Sequence, residues 1–301
     1  MWFKRIFLFM AMNILVMVSI SIVMSILGVK PYLTSYGLNY ESLMIFCLVW
    51  GMVGSFISLM LSKFMAKMMM GVKIVDSNGP HRDLVLRVHN LAKAAGISKM
   101  PEVGVYESAE VNAFATGPTK NNSLIAVSTG LLNRMSDDAV EGVLGHEVSH
   151  VANGDMVTMA LVQGVVNAFV MFFARIAAFA LQNVLRGDDD REEGSSFGGG
   201  FAYHISVFVF EIFFSFLGMF VVSYFSRIRE FRADAGSAKV AGREKMITAL
   251  QQLKGNMELI DNSKPNLRCM KISDKGSFMA LLSTHPSLDD RIMALQNYRA
   301  V

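Results

Sequence analysis

Apolar and polar positions fall into long blocks along this chain. Four blocks are apolar over about the 20 residues that a helix needs to cross a bilayer: 6–27, 42–61, 156–185 and 201–225. The first follows Lys4 and Arg5. Its apolar core is longer than the roughly 7–15 residues of a secretory signal, and no A-x-A cleavage site follows it. It reads as an uncleaved signal anchor. In the second block, Gly51/Ser55 and Gly54/Ser58 form two small-xxx-small pairs that would let another helix approach closely.

Between the blocks the pattern shortens. The turn-forming SNGP at 77–80 precedes HRDLVLRVHNLAKAAG, where Leu84, Val88, Leu91 and Ala95 recur at helical spacing before a stop at Gly96. His81 and His89 on this helix read as ordinary, partly exposed histidines. Three β-like pieces follow at 102–106, 111–117 and 123–130, the last two separated by the turn-rich PTKNN. A second helix is expected over 136–153. Ser136, Asp137 and Asp138 suit its first turn, and Asn153-Gly154 suits its end. The stretch 255–276 has little periodicity and reads as a loop.

Composition agrees with membrane residence. Only 18% of the 301 residues are charged, against about 25% in an ordinary globular chain. A net charge of +3 is too small to suggest nucleic acid, so the placement of charge carries the information. Lys4 and Arg5 precede block one; Lys63, Lys67 and Lys73 follow block two; Arg227, Arg229 and Arg232 follow block four. The linker between blocks three and four, RGDDDREEGSSFGGG, is acidic. The positive-inside rule then puts both termini, 62–155 and everything after 226 in the cytoplasm. Two charges interrupt the apolar blocks, Arg175 in the third and Glu211 in the fourth. In an antiparallel hairpin their depths differ by roughly one helical turn, so they read as a structural ion pair. The alternatives are a catalytic role, or a third block that does not fully cross. Cys47 and Cys269 lie in unlike surroundings and imply neither a disulfide nor a metal site. The 23 methionines read as apolar filler.

The chemistry is concentrated in GHEVSH, 145–150. Residues four apart on a helix share a face, so His146 and His150 can grip one metal ion. Glu147 stands one residue round, beside the open side of the metal, where it can take a proton from water. Catalytic zinc takes three protein ligands. Position 156, where a third histidine of an extended motif would stand, is Met156. Asp155 is too close along the chain to curl back, His204 lies at the far end of block four, and Glu211 is at membrane depth. That leaves Glu230, which two membrane crossings return to the side of His146. Asp234, one turn later, could accept the outer N–H of a zinc-bound histidine.

Together VNAFATG, GHEVSHVANGD, REFRADAGSA and STHPSLDDRI, in that order, resemble the HtpX-type membrane metalloproteases, related to the eukaryotic CAAX prenyl endoproteases. The resemblance covers essentially the whole chain. It implies a mainly α membrane protein with four transmembrane helices and a cytoplasmic, gluzincin-like zinc protease domain containing a small β-sheet. One Zn2+ would be held by His146, His150 and Glu230, with Glu147 as general base. It further implies that Asn112, Ala113 and Phe114 form an edge strand that holds substrate backbone, and that His285 and Arg291 stabilise the oxyanion. A helix-capping loop is the alternative for these last two. Segments 1–61 and 156–226 would be membrane hairpins, and 62–155 and 227–301 the two protease parts. The resemblance also implies the bacterial inner membrane, and quality control of misfolded or unstructured membrane proteins under stress, with protein substrates and the bilayer as partners. A sequence-selective processing peptidase and a non-proteolytic scaffold with structural zinc are the rival readings.

Overall fold

The computed structural model describes residues 18–20, 22–28, 33–34, 37–185, 196–263 and 283–297. The chain divides into two units, each built from two separate stretches: Met1–Ile57 with Ala160–Val222, and Ser58–Met159 with Ser223–Val301.

The first unit is built around apolar helices. Among the described residues, three helices are long and apolar enough to cross a membrane: α1 (Tyr40–Met69), α5 (Asp155–Leu185) and the helix that includes α6 (Ser196–Ser237). The first expected span, 6–27, falls largely outside the described residues, although 18–20 and 22–26 are helical. A short antiparallel pair, β1 (Leu33–Thr34) and β2 (Gly37–Leu38), precedes α1. Gly51 is where α1 and α5 touch. A Cβ there would lie 2.4 Å from the Gly164 carbonyl oxygen and 3.1 Å from Ala168 Cβ. Gly54 has nothing within 4 Å, so close helix packing uses one of the two small-residue pairs. The expected ion pair is present, with Arg175 Nη1 2.8 Å from Glu211 Oε1. The same guanidinium also donates to the Met171 carbonyl and stands 5.5 Å from the centre of the Phe46 ring.

The second unit is a four-stranded mixed sheet backed by helices. Its strands are β3 (Lys73–Val75), β4 (Glu102–Tyr106), β5 (Ala113–Thr119) and β6 (Asn122–Ser128), in the order β3-β4-β6-β5. β4 and β6 are parallel and central, which suits their unbroken buried runs; β3 and β5 are antiparallel edges. β3 was not expected from the sequence. It has three residues, mostly exposed, too few to show a period of two. Helix α2 (Arg82–Ala94) follows the predicted face, with Leu84, Val88 and Leu91 buried and Gly96 at φ +74° behind its end. A short α3 (Thr129–Arg134) leads to α4 (Asp137–Asn153). α4 begins on Ser136, whose hydroxyl accepts from Ala139 N, and stops at Gly154 with φ 71°. Beyond α6 the helix loosens into a π turn over Ala238–Gly242 and continues as α7 (Arg243–Ser263). The loop expected over 255–276 is therefore helical as far as Ser263, because the α7 face bearing Leu250 and Leu253 packs inward; residues 264–276 lie outside the described ones. The last helix, α8 (Leu288–Gln296), is capped by Ser287, which accepts from Asp290 N.

The core lies between α4, α2 and the sheet. Val88, Ile125, Val127, Leu144 and Val148 are fully inaccessible. Burial of each such side chain contributes about 1.5–3 kcal/mol, and α4 is buried on all sides from Val143 to Val151.

Candidate metal centre

Two helices bring the site together. α4 carries His146, Glu147 and His150; α6 carries Glu230 and Asp234. They meet closely at two glycines. A Cβ on Gly145 would lie 2.7 Å from Ser237 Oγ, and one on Gly236 would lie 2.5 Å from Ser149 Oγ. The two serines use their hydroxyls at the seam. Ser237 Oγ donates across it to the Gly142 carbonyl (2.7 Å), and Ser149 Oγ donates to Gly145 within α4 (2.7 Å).

This approach places three buried ligand atoms around one point. His146 Nε2 and His150 Nε2 are 3.0 Å apart. Glu230 Oε2 lies 3.4 Å from the first and Oε1 lies 3.5 Å from the second. The three residues form a set able to hold a metal ion. Ligands at zinc's usual bond lengths and tetrahedral angles stand roughly 3.3 Å apart, so these separations fit. The outer ring nitrogens argue the same way. His146 Nδ1 is 2.9 Å from Asp234 Oδ1, and His150 Nδ1 is 2.7 Å from Asp155 Oδ2. A neutral ring that donates from Nδ1 to a carboxylate presents a lone pair at Nε2. Two such lone pairs aimed at each other repel unless a metal ion, or without one a proton on one ring, lies between them.

The outer carboxylates are themselves held. Asp234 is fixed by two parallel bonds from Arg291, Nε to Oδ2 at 2.7 Å and Nη2 to Oδ1 at 2.6 Å. Arg291 Nη1 also lies 3.3 Å from Glu230 Oε2. Asp289, by contrast, pairs with Lys254. Asp155 stands outside the ligand set, as its nearness along the chain predicts, but it has a role not expected from the sequence: the left-handed turn at Gly154 swings it back under His150. It meets the outer nitrogen there, not the ligand side. The sequence signal was the Gly-Asp pair itself, a helix stop followed at once by a carboxylate.

These contacts shift the titrations. Burial by itself lowers the His146 pKa, but hydrogen bonds to Asp234 and Glu230 outweigh it and raise the ring to about 9. His150 is likewise raised against burial, by Asp155 and Glu230. Burial opposes ionisation of Glu230, yet the His146, His150 and His285 contacts hold its carboxyl far below the usual carboxylate range. For Asp234, burial is opposed by Arg291 and His146, and the net shift is downward.

A cleft of about 140 Å³ opens on this set. His146, Glu147, Glu230, His285 and Arg291 supply its polar lining, and Leu131, Val143, Met246 and Leu253 are among its apolar lining. Asn112 and Ala113 form part of its wall. Phe114 points to the opposite face of the sheet, where its ring centre is 5.7 Å from that of Tyr106. Among the described residues β5 pairs only with β6, so its other edge is unpaired within the sheet. His285 stands at the mouth, with its side chain 62% exposed and Nδ1 3.1 Å from Glu230 Oε2. His81 and His89 lie elsewhere: His81 is the N-cap of α2, and His89 Nε2 meets the Pro101 carbonyl.

Comparison with known proteins gives a consistent result. Residues 79–299 match the sequence profile of peptidase family M48. The chain is 51% identical to a protease HtpX homologue of Bacillus licheniformis, over 97% of this chain and 99% of that one. It is 48% identical to a protease HtpX homologue of Methylacidiphilum infernorum, with 98% of each covered, and 50% identical to protease HtpX of Shewanella sp. strain W3-18-1. The fold is similar to that in the crystal structure of S. mikatae Ste24p, with a TM-score of 0.62 at 18% identity. That similarity covers 98% of this chain, and the chain spans 65% of the length of the Ste24p structure.

Proposed function

The chain belongs to peptidase family M48 and is a zinc metallopeptidase and multi-pass membrane protein of the HtpX type; from that premise we propose that it is an endopeptidase that cuts extended, unstructured segments of membrane proteins on the cytoplasmic side of the bacterial inner membrane, in quality control under stress. The observation that carries this reading is one cleft shared by three buried ligands, Glu147 and an unpaired strand edge.

The residues divide the work as follows. An extended substrate adds to the free edge of β5 through the backbone of Ala113, while Asn112, whose own N–H and carbonyl are bonded to Ser128, ties that end of the strand to β6; this presents the substrate main chain to the ligand set and Glu147. His146, His150 and Glu230 would hold the zinc ion, which when bound would supply the Lewis acidity that makes water reactive at neutral pH. Glu147 accepts the water's proton as its oxygen bonds to the scissile carbon, then returns that proton to the departing amine as the C–N bond breaks. His285 donates to the carbonyl oxygen as charge develops there. Arg291 adds positive charge nearby, although its Nε and Nη2 are engaged by Asp234. Asp234 and Asp155 fix the two rings in the tautomer that ligation needs. The apolar residues Leu131, Val143, Met246 and Leu253 in the lining suit an aliphatic or aromatic substrate side chain beside the scissile bond.

The test compares wild type with Glu147→Gln on an unfolded membrane protein, with zinc content measured in both. Cleavage should fall by at least about a hundredfold while zinc stays bound. Undiminished cleavage would sink the role of Glu147 as general base, and absence of cleavage by zinc-loaded wild type would favour a scaffold with structural zinc. Product mapping separates the rivals further: several cuts in exposed segments support this reading, and one fixed cut supports a processing peptidase.

A further inference from the structure

We propose that Ser128 is a positioning residue that sets the substrate-holding edge strand at its working height over the metal centre. This rests on the reading that the free edge of β5, beginning at Ala113, pairs with substrate backbone. Ser128 is wholly buried at the junction of β6 and α3. A hydroxyl has one proton to give and two lone pairs to receive with, and Ser128 commits all three. Its Oγ accepts from Leu131 N (3.0 Å) and from Asn112 N (3.1 Å), and donates to the Glu110 carbonyl (2.6 Å). Its own N–H donates to the Asn112 carbonyl at 2.9 Å. One residue therefore holds both backbone groups of Asn112 and ties them to the first turn of a helix.

The next two residues extend the mould. Thr129 Oγ1 accepts from Ser108 N at 3.2 Å and is 3.1 Å from the Ser108 carbonyl. Gly130 N donates to that carbonyl at 2.8 Å. A Cβ at Gly130 would come within 2.5 Å of the Ala109 carbonyl oxygen and 2.7 Å of that of Glu110. Residues 108–112 therefore lie pressed against 128–130, backbone to backbone. This segment leads directly into the part of β5 that lines the cleft beside His146 and Glu147. No residue of the mould is a metal ligand, so the effect of loosening it falls on the strand and not on the ligand set.

The experiment measures KM and kcat separately for a peptide substrate, with zinc content, in Ser128→Ala and Ser128→Thr. Loss of the hydroxyl should raise KM about tenfold, with kcat within about twofold and zinc unchanged; the threonine variant, which keeps the hydroxyl, should recover most of the loss. A lowered melting temperature with unchanged KM, or a parallel loss of zinc, would overturn the proposal. If Ser128→Ala does not fold, Thr129→Val decides in the same way, since it releases the Ser108 end of the mould, with the 3.3 Å contact to Glu107, and leaves the Ser128 bonds to Asn112 in place. A peptide N-methylated at its strand-pairing amides separates the two layers. If wild type cuts it as well as the parent peptide, the strand reading fails. If wild type discriminates and the Ser128 variants keep the parental KM, only the positioning role fails.

Discussion

At the residue scale, the site depends on which nitrogen of each histidine faces inward, and two carboxylates decide it. Asp155 is the simpler case, because it touches His150 and, among the described residues, is not itself held by an arginine. Asp155→Ala should weaken zinc binding about 10–100-fold in competition with a chelator; equal affinity would mean that the 2.7 Å contact does not orient the ring. Protons compete for the same site. His146 titrates near 9 instead of its ordinary 6.5, so without the ion its pairing contributes stability in full below about 6.5 and loses it as pH rises through about 9. Zinc needs the neutral ring. Its affinity should therefore rise with pH up to about 9, with protons released on binding; calorimetry in buffers of different ionisation enthalpy would count them, and zero release near pH 7 would contradict the shift. The sequence made this site legible in proportion to how local each part is. His146, Glu147 and His150 follow from helical spacing alone. Glu230 needed the path of the chain, counted in membrane crossings. Asp155 was missed because nearness along the chain reads as hindrance until a left-handed glycine reverses its direction.

At the scale of elements, the decisive contact is the seam between α4 and α6. Glu230 reaches the histidines because Gly145 and Gly236 remove two side chains from it. Gly236→Ala would force a methyl to 2.5 Å from Ser149 Oγ. Overpacking of this kind costs about 1–3 kcal/mol; the variant should melt lower and lose zinc more readily, and an unchanged melt with full zinc would show that the seam yields. Helix-scale pattern was readable from the sequence wherever a segment had a buried face, as in α2 and α4. β3 escaped because three mostly exposed residues carry no period. The far part of α7 escaped because 255–263 shows its pattern only in the company of Leu250 and Leu253 upstream.

At the scale of the whole molecule, each unit is made of two distant stretches, so neither can form until the chain has returned. Inside the apolar unit, Arg175 and Glu211 mark one such return. Losing either alone leaves a charge among apolar helices, whereas losing both removes the problem. Arg175→Met and Glu211→Met should each lower resistance to heat in detergent, by about 1–3 kcal/mol, and the double variant should recover most of it with cleavage retained; additive losses would exclude the pair as a structural tie. The proposed topology is checked separately. Cys269 and a cysteine replacing Asp189 should react with an impermeant thiol reagent from opposite sides of the membrane, and labelling from one side alone would overturn it. The free edge of β5 has a consequence for turnover. A strand gripped by its main chain is held in proportion to the length that is paired. Cutting shortens that length on both sides at once, so each product binds more weakly than the substrate did, and release follows from the cut without a moving lid.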